Sequence, residues 1–233
     1  MFGLIPPDWR KKIGTHLGAP DLRWSLMQLR RYGFSAKNIM DVGAFRGDWT
    51  KIYLEVFPEA YITCIEPQDA YREILDKFAE KHSNIRIIQA LLGKKVDRAV
   101  NFSEVGSGSG VLVDSDPSTI AVRPMTTIDT LVTDGICKPP QLLKLDVQGY
   151  EIEVLEGFSQ HLDQCEVIQC ELSLLPIAFG APLIHEVLTY LYKRGFVMFD
   201  ITELIRAPSD GCVWQIDALF CRMDSPLRRE RAW

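Results

Sequence analysis

The sequence has no Cys-x-x-Cys pair, no Gly-x-Gly-x-x-Gly, few histidines and no apolar run near the ~20 residues of a membrane-spanning helix. Without paired cysteines no zinc site is indicated. Cys64, Cys170 and Cys221 lie inside apolar strand-like runs and read as buried free thiols acting as small hydrophobes. Without the glycine triplet, the cradle that seats a pyrophosphate on a helix start is missing. Cations are the minority, 26 Lys and Arg against 31 Asp and Glu. The resulting net charge of -5 argues against a phosphate-backbone binder, and so against nucleic acid as a partner. The start Met1-Phe-Gly-Leu-Ile-Pro-Pro7 lacks the basic residues and long apolar stretch of a secretory signal, so the chain reads as cytoplasmic.

What is present is a globular balance. The chain is 47% hydrophobic and 24% charged over 233 residues, enough for one α/β domain with a sizeable core and too short for a second full domain. Residues 1–37 form a preface punctuated by Pro6-Pro7 and Pro20, with Leu22, Leu26 and Leu29 on one helical face; it reads as a helical extension or a flap against the substrate side. From Ile39 the pattern alternates: strand 39–42, helix 47–57, strand 61–65, helix 69–82, strand 85–89. That rhythm predicts a parallel sheet. Residues 98–104 alternate like an additional strand, and Gly106-Ser-Gly-Ser-Gly110 then breaks all periodicity, as a link or as a lid. A short helix capped near Thr127 follows, then strand 141–147, a helix from Tyr150 to Glu156, strand 165–172, helix 182–194, and strands 196–201 and 216–221 as an antiparallel finish. The folded domain spans 38–224, and residues 225–233 form a charged tail.

The most informative segment is Ile39-Met-Asp-Val-Gly-Ala-Phe-Arg-Gly-Asp48: an apolar strand, a carboxylate and a glycine turn directly before a helix. Gly43 and Gly47 let the backbone turn sharply and approach a ligand closely. Their Gly-x-x-x-Gly spacing, with Asp41 two residues upstream, favours a ligand without phosphates. The next strand ends in Glu66-Pro67, the position from which such folds offer a carboxylate to ribose hydroxyls. Acid, glycine turn and acid together describe S-adenosylmethionine, with Asp41, Gly43, Ala44 and Gly47 near its amino-acid end, Glu66 and Pro67 at the ribose, and an adenine slot at Gln89-Ala90-Leu91. The bland alternative is a tight β-to-α turn with a capping carboxylate.

The run Leu142-Leu-Lys-Leu-Asp-Val-Gln-Gly-Tyr-Glu-Ile-Glu-Val-Leu-Glu-Gly157 resembles the signature of the FkbM family of methyltransferases. Thr126-Thr-Ile-Asp-Thr-Leu131 is similar to that family's Thr-Leu-Asp-x-Leu element, and the strand ending in Glu171 and Asp217-Ala-Leu-Phe220 fit as well. The resemblance covers roughly residues 38 to 222. It implies a single-domain class I, Rossmann-like α/β fold: a mostly parallel seven-stranded sheet with a terminal antiparallel strand and helices on both faces. It also implies S-adenosylmethionine as cofactor and O-methylation of a hydroxyl on a sugar, glycoconjugate or secondary metabolite. Gln148, where many relatives carry Glu, and Phe45, where Asn is common, are departures.

Three residues are candidates for the chemistry. Asp146 ends the fourth parallel strand, where open sheets bind ligands, and is expected to face donor or acceptor; otherwise it caps the following helix. Glu171 ends the neighbouring strand, so the two carboxylates could hydrogen-bond an acceptor or, less favoured, hold a divalent cation. His185, in the first turn after the fifth strand, is the histidine placed to act as a base, with a purely structural role as the alternative. The acceptor partner is expected to be a small molecule or glycan. The rival functions are a non-catalytic binding module and an NAD-dependent oxidoreductase, the latter disfavoured by the missing glycine triplet.

Overall fold

The computed structural model describes residues 18–111 and 117–228. Trp9, His16, residues 112–116 and the end of the charged tail lie outside those residues.

Helix α1 (Leu22–Arg31) starts where the Asp21 carboxylate accepts a hydrogen bond from the Trp24 N–H at 2.8 Å. Its Leu22, Leu26 and Leu29 are buried as their spacing predicts, beside α2 (Asp48–Val56). Ser25 donates to Asp200 at 2.6 Å. α1 is therefore a docked extension of the core, and none of its residues lines the cleft described below.

Seven strands build the main sheet: β1 (Asn38–Val42), β2 (Tyr61–Ile65), β3 (Ile85–Ile88), β7 (Leu142–Leu145), β8 (Val167–Ser173), β9 (Phe196–Arg206) and β10 (Val213–Arg222). Their order is β3-β2-β1-β7-β8-β10-β9. Pairings among the first five are parallel, whereas β10 runs antiparallel to both neighbours. The expected mostly parallel sheet is thus present. Its reversed strand is interior, with β9 as the edge, and the final hairpin is several residues longer than its apolar pattern suggests.

The apolar runs reflect burial on both faces. Ile39, Ile62, Cys64 and Leu142 join a core under α1 and α2, while Met40, Val42, Ile65, Leu143 and Leu145 face the other core with Phe158. Asp41 and Lys144 point to the same face as Ile39 and Leu142, deep in the first of these cores. Helices α3 (Arg72–Ala79), α4 (Ile128–Thr133), α5 (Glu151–Glu156) and α6 (Ile184–Lys193) complete the layers. Thr127 caps α4 as expected, its hydroxyl accepting from the Thr130 N–H at 2.9 Å.

A second, three-stranded sheet, β4-β6-β5, comprises β4 (Leu91–Leu92), β5 (Asp97–Ser103) and β6 (Ile120–Thr126). The sequence predicts β5 but not β6, because Pro124 cannot donate to a ladder. In the structure Pro124 falls at an irregularity, between the pairs Asp97↔Met125 and Val100↔Arg123, so no donor is needed there.

Candidate active site

The strand order reverses between β2-β1 and β1-β7, and a cleft opens at the C-terminal ends of these strands. Gly43 and Ala44 donate their N–H groups to the Ile65 carbonyl at 3.0 and 3.1 Å, which folds the glycine turn against β2. Gly43 has φ +75°, and a Cβ there would sit 2.0 Å from the Asp146 carbonyl oxygen, so only glycine lets the β1 turn meet the end of β7. Gly47 supplies the left-handed residue, φ +77°, that starts α2.

Glu66 lines the cleft and is almost fully buried. One carboxylate oxygen accepts from the Phe45 N–H at 2.9 Å; the other accepts from the Gln68 N–H and its side-chain amide, both at 3.0 Å. Burial raises its pKa, and those hydrogen bonds hold the rise in check. Gln68 extends the arrangement: its amide also donates to the Gly106 carbonyl at 3.2 Å and accepts from the Ser109 hydroxyl at 2.9 Å. Gly106 to Gly110 is consequently part of the cleft wall, tied to the Glu66 loop.

Lys144 joins the β1 turn to β7 from beneath. Its ammonium donates to the Gly43 carbonyl at 2.9 Å and pairs with Asp41 at 3.2 Å and Asp146 at 3.3 Å. Burial alone would depress its pKa, but the two acids outweigh that and raise it. Asp41 is fully buried, accepts from the Thr50 hydroxyl at 2.6 Å and does not line the cleft, so it braces the turn instead of facing a ligand. Lys144 was not singled out from the sequence, although a lysine in the middle of the apolar strand Leu-Leu-Lys-Leu is the signal that marks it.

Asp146 lines the cleft. The capping alternative does not hold: the Glu151 carboxylate accepts from the Val147 and Gly149 N–H groups, while the Asp146 oxygens face Lys144 and Gln148. Gln148 adopts φ +53°, a conformation strained for its side chain, and its amide donates to Asp146 at 2.9 Å and to Glu171 at 3.1 Å. Asp217 stands opposite Glu171 in the β10–β8 ladder. Burial first, then the charge of Asp146, pushes Glu171 far above the usual carboxylate range and Asp217 up to about 7.

Five expected positions are not on the cleft wall: Asp41 and Gly47, which shape the turn from behind, Glu171, which reaches it only through Gln148, and His185 and Gln89. His185 is exposed in the first turn of α6, whose Val187 and Leu191 take the buried face, and it is absent from the cleft wall. Gln89 is exposed and donates its amide to Asp69, leaving Ala90, Leu91 and Leu92 on the wall. Pro67 and Ala44 do line it. Of Trp24, Trp49, Phe179 and Trp214, only Trp49 does so. Among the described residues, no three His, Cys, Asp or Glu side chains are placed to share a metal ion.

A family model described as the methyltransferase FkbM domain matches residues 41–198, more than half of the chain. The chain belongs to the FkbM methyltransferase family. It is accordingly an S-adenosylmethionine-dependent methyltransferase, and NAD-dependent oxidation is set aside. No curated protein sequence matches it. Among solved structures it is similar to the O-methyltransferase TomG from Streptomyces achromogenes, in complex with SAM, at 11% identity and TM-score 0.51, covering 90% of this chain and 85% of that one. It is also similar to a precorrin-6y C5,15-methyltransferase from Geobacter metallireducens, at 11% identity and TM-score 0.50, covering 86% of each chain. These likenesses show the fold, a class I Rossmann-like α/β domain. Among the described residues, no helix is long and apolar enough to cross a membrane.

Proposed function

We propose that this FkbM methyltransferase methylates a hydroxyl oxygen on a sugar, a glycoconjugate or another secondary metabolite. The observation that carries the reading is the carboxylate group at the ends of β7 and β8, where Asp146 faces the cleft and the Gln148 amide ties it to Glu171. Bound S-adenosylmethionine supplies a methyl group already activated on a sulfonium. The chain's own share is therefore to orient, to exclude water and to take the acceptor's proton. Asp146, on the cleft wall, is the carboxylate placed for that last task, and the Gln148 amide ties it to Glu171, which burial holds toward its protonated form.

The cleft fits the cofactor by the chemistry of its donor set. The close approach at Gly43 leaves backbone, with Ala44, at the amino-acid end. Glu66 offers carboxylate oxygens suited to ribose hydroxyls, beside Pro67. Ala90 with Leu91 gives an apolar wall for a purine, and Asp41 with Gly47 maintains the turn from behind. The partner is a small-molecule or glycan acceptor; the net charge of -5 and the acid-lined cleft disfavour a nucleic acid. A divalent cation is not part of the proposal, because the Gln148 amide already bridges the two carboxylates that would hold it.

Tritium-methyl transfer from S-adenosylmethionine into cell extract tests the reading. Asp146→Asn should lose roughly a hundredfold or more of transfer at saturating donor, while His185→Ala should retain it. A wild-type rate for Asp146→Asn would overturn the assignment.

A further inference from the structure

Among the described residues, Arg46 is the one cationic side chain on the cleft wall, whose other charged members are Asp48, Glu66 and Asp146. It is exposed and, among the described residues, has no ion-pair partner; the adjacent Asp48 pairs with Lys51 at 2.6 Å instead. Two rings hold it. Its guanidinium carbon lies 5.1 Å from the Phe45 ring centroid and 5.7 Å from that of Tyr71, and those rings pack on each other at 4.2 Å. Phe45 carries a left-handed φ of +49°, uncommon for a bulky residue, and its N–H is fixed by Glu66. A guanidinium lying on ring faces spends none of its N–H donors there, so its planar fork remains free for a carboxylate.

Charge matching gives the fork its ligand. S-adenosylmethionine carries a sulfonium, an ammonium and a carboxylate. A cleft walled by three acids suits the two cations and repels the carboxylate, which needs one cation to offset that repulsion. We propose that Arg46 is the carboxylate-binding residue of this cleft, and that the carboxylate it takes is the one on the amino-acid end of the methyl donor. The inference rests on the donor reading above and adds a residue to it. A carboxylate on the acceptor is the other source of the same chemistry.

Calorimetry with two nucleosides separates these cases. S-adenosylhomocysteine carries the amino-acid carboxylate, and 5′-methylthioadenosine lacks the whole amino-acid end. Arg46→Ala should weaken S-adenosylhomocysteine roughly tenfold to a hundredfold, the range of a charge-assisted hydrogen bond, and leave 5′-methylthioadenosine unchanged. Arg46→Lys, which keeps the charge and loses the fork, should fall between. Unchanged S-adenosylhomocysteine binding would assign the guanidinium to an acceptor and overturn the proposal. Equal weakening of both nucleosides would make Arg46 a support of the wall and overturn it as well. Wild-type protein that binds neither nucleoside would remove the donor reading itself.

Discussion

Replacing Lys144 by Met tests the brace beneath the cleft. The lysine side chain is 2% exposed and is the one cation between Asp41, fully buried, and Asp146, at 29%. Met keeps most of the length and apolar volume, so the substitution removes charge with little change in packing. Asp41 would then keep only the Thr50 hydroxyl, since its Oδ1 accepts no hydrogen bond and relies on the ion pair. Stranding a buried charge in this way costs about 3–5 kcal/mol, whereas Asp146 can turn to solvent and adds little. Against a domain stability of about 5–15 kcal/mol that loss is large. The raised pKa of Lys144 means its contribution is complete below the ordinary lysine value of 10.5 and is lost only as pH rises from there through the raised folded-state value, so urea denaturation at pH 7 captures all of it. Asp41→Asn in the Lys144→Met background should recover a good part of the loss. A cost under about 1 kcal/mol for Lys144→Met, or strict additivity of the two changes, would refute the reasoning.

Gly43→Ala should both strain a φ of +75° and drive a methyl into the Asp146 carbonyl, costing about 3 kcal/mol or more. Its readout is loss of S-adenosylhomocysteine binding in calorimetry, and retained affinity would mean the turn opens elsewhere. Glu151 is fully buried, with a pKa pushed up by that burial from 4.5 to about 7. Its folded-state preference for the proton supports the fold fully below 4.5 and fades as pH rises through about 7. The wild type should therefore lose up to about 1.4 kcal/mol per pH unit across that window. Glu151→Gln should show a flatter denaturation curve between pH 5 and 7; an identical slope would contradict the assignment.

The parts of the molecule that show in the sequence are those set by local rules. A strand buried on both faces reads as an apolar run, and a β-to-α turn that needs positive φ reads as glycine; β1, β2, β7 and the Gly43 turn were visible on those grounds. Glu66 and Asp146 follow because strand ends deliver side chains to one rim. What stayed hidden depends on neighbours distant in the chain. Asp41 and Asp146 look alike as strand carboxylates, and only the position of Lys144 shows that one is a brace and the other faces the cleft. Strand β6 was hidden by Pro124, whose missing N–H is harmless only because β5 is irregular opposite it. Gln68 gave no signal, since its three partners come from two loops. His185 has the right spacing after β8 and fails because α6 turns Val187 and Leu191 inward.

The interior placement of β10 has a consequence for biosynthesis. While the ribosome is still short of residue 213, β8 presents a bare, apolar margin of unsatisfied amides and carbonyls, and Glu171 has no companion across the ladder. Emerging chains therefore pass through an adhesive stage that ends only when the final hairpin docks. Stalled or clipped products lacking residues 213–222 should be the form that chaperones retain and that precipitates on overexpression.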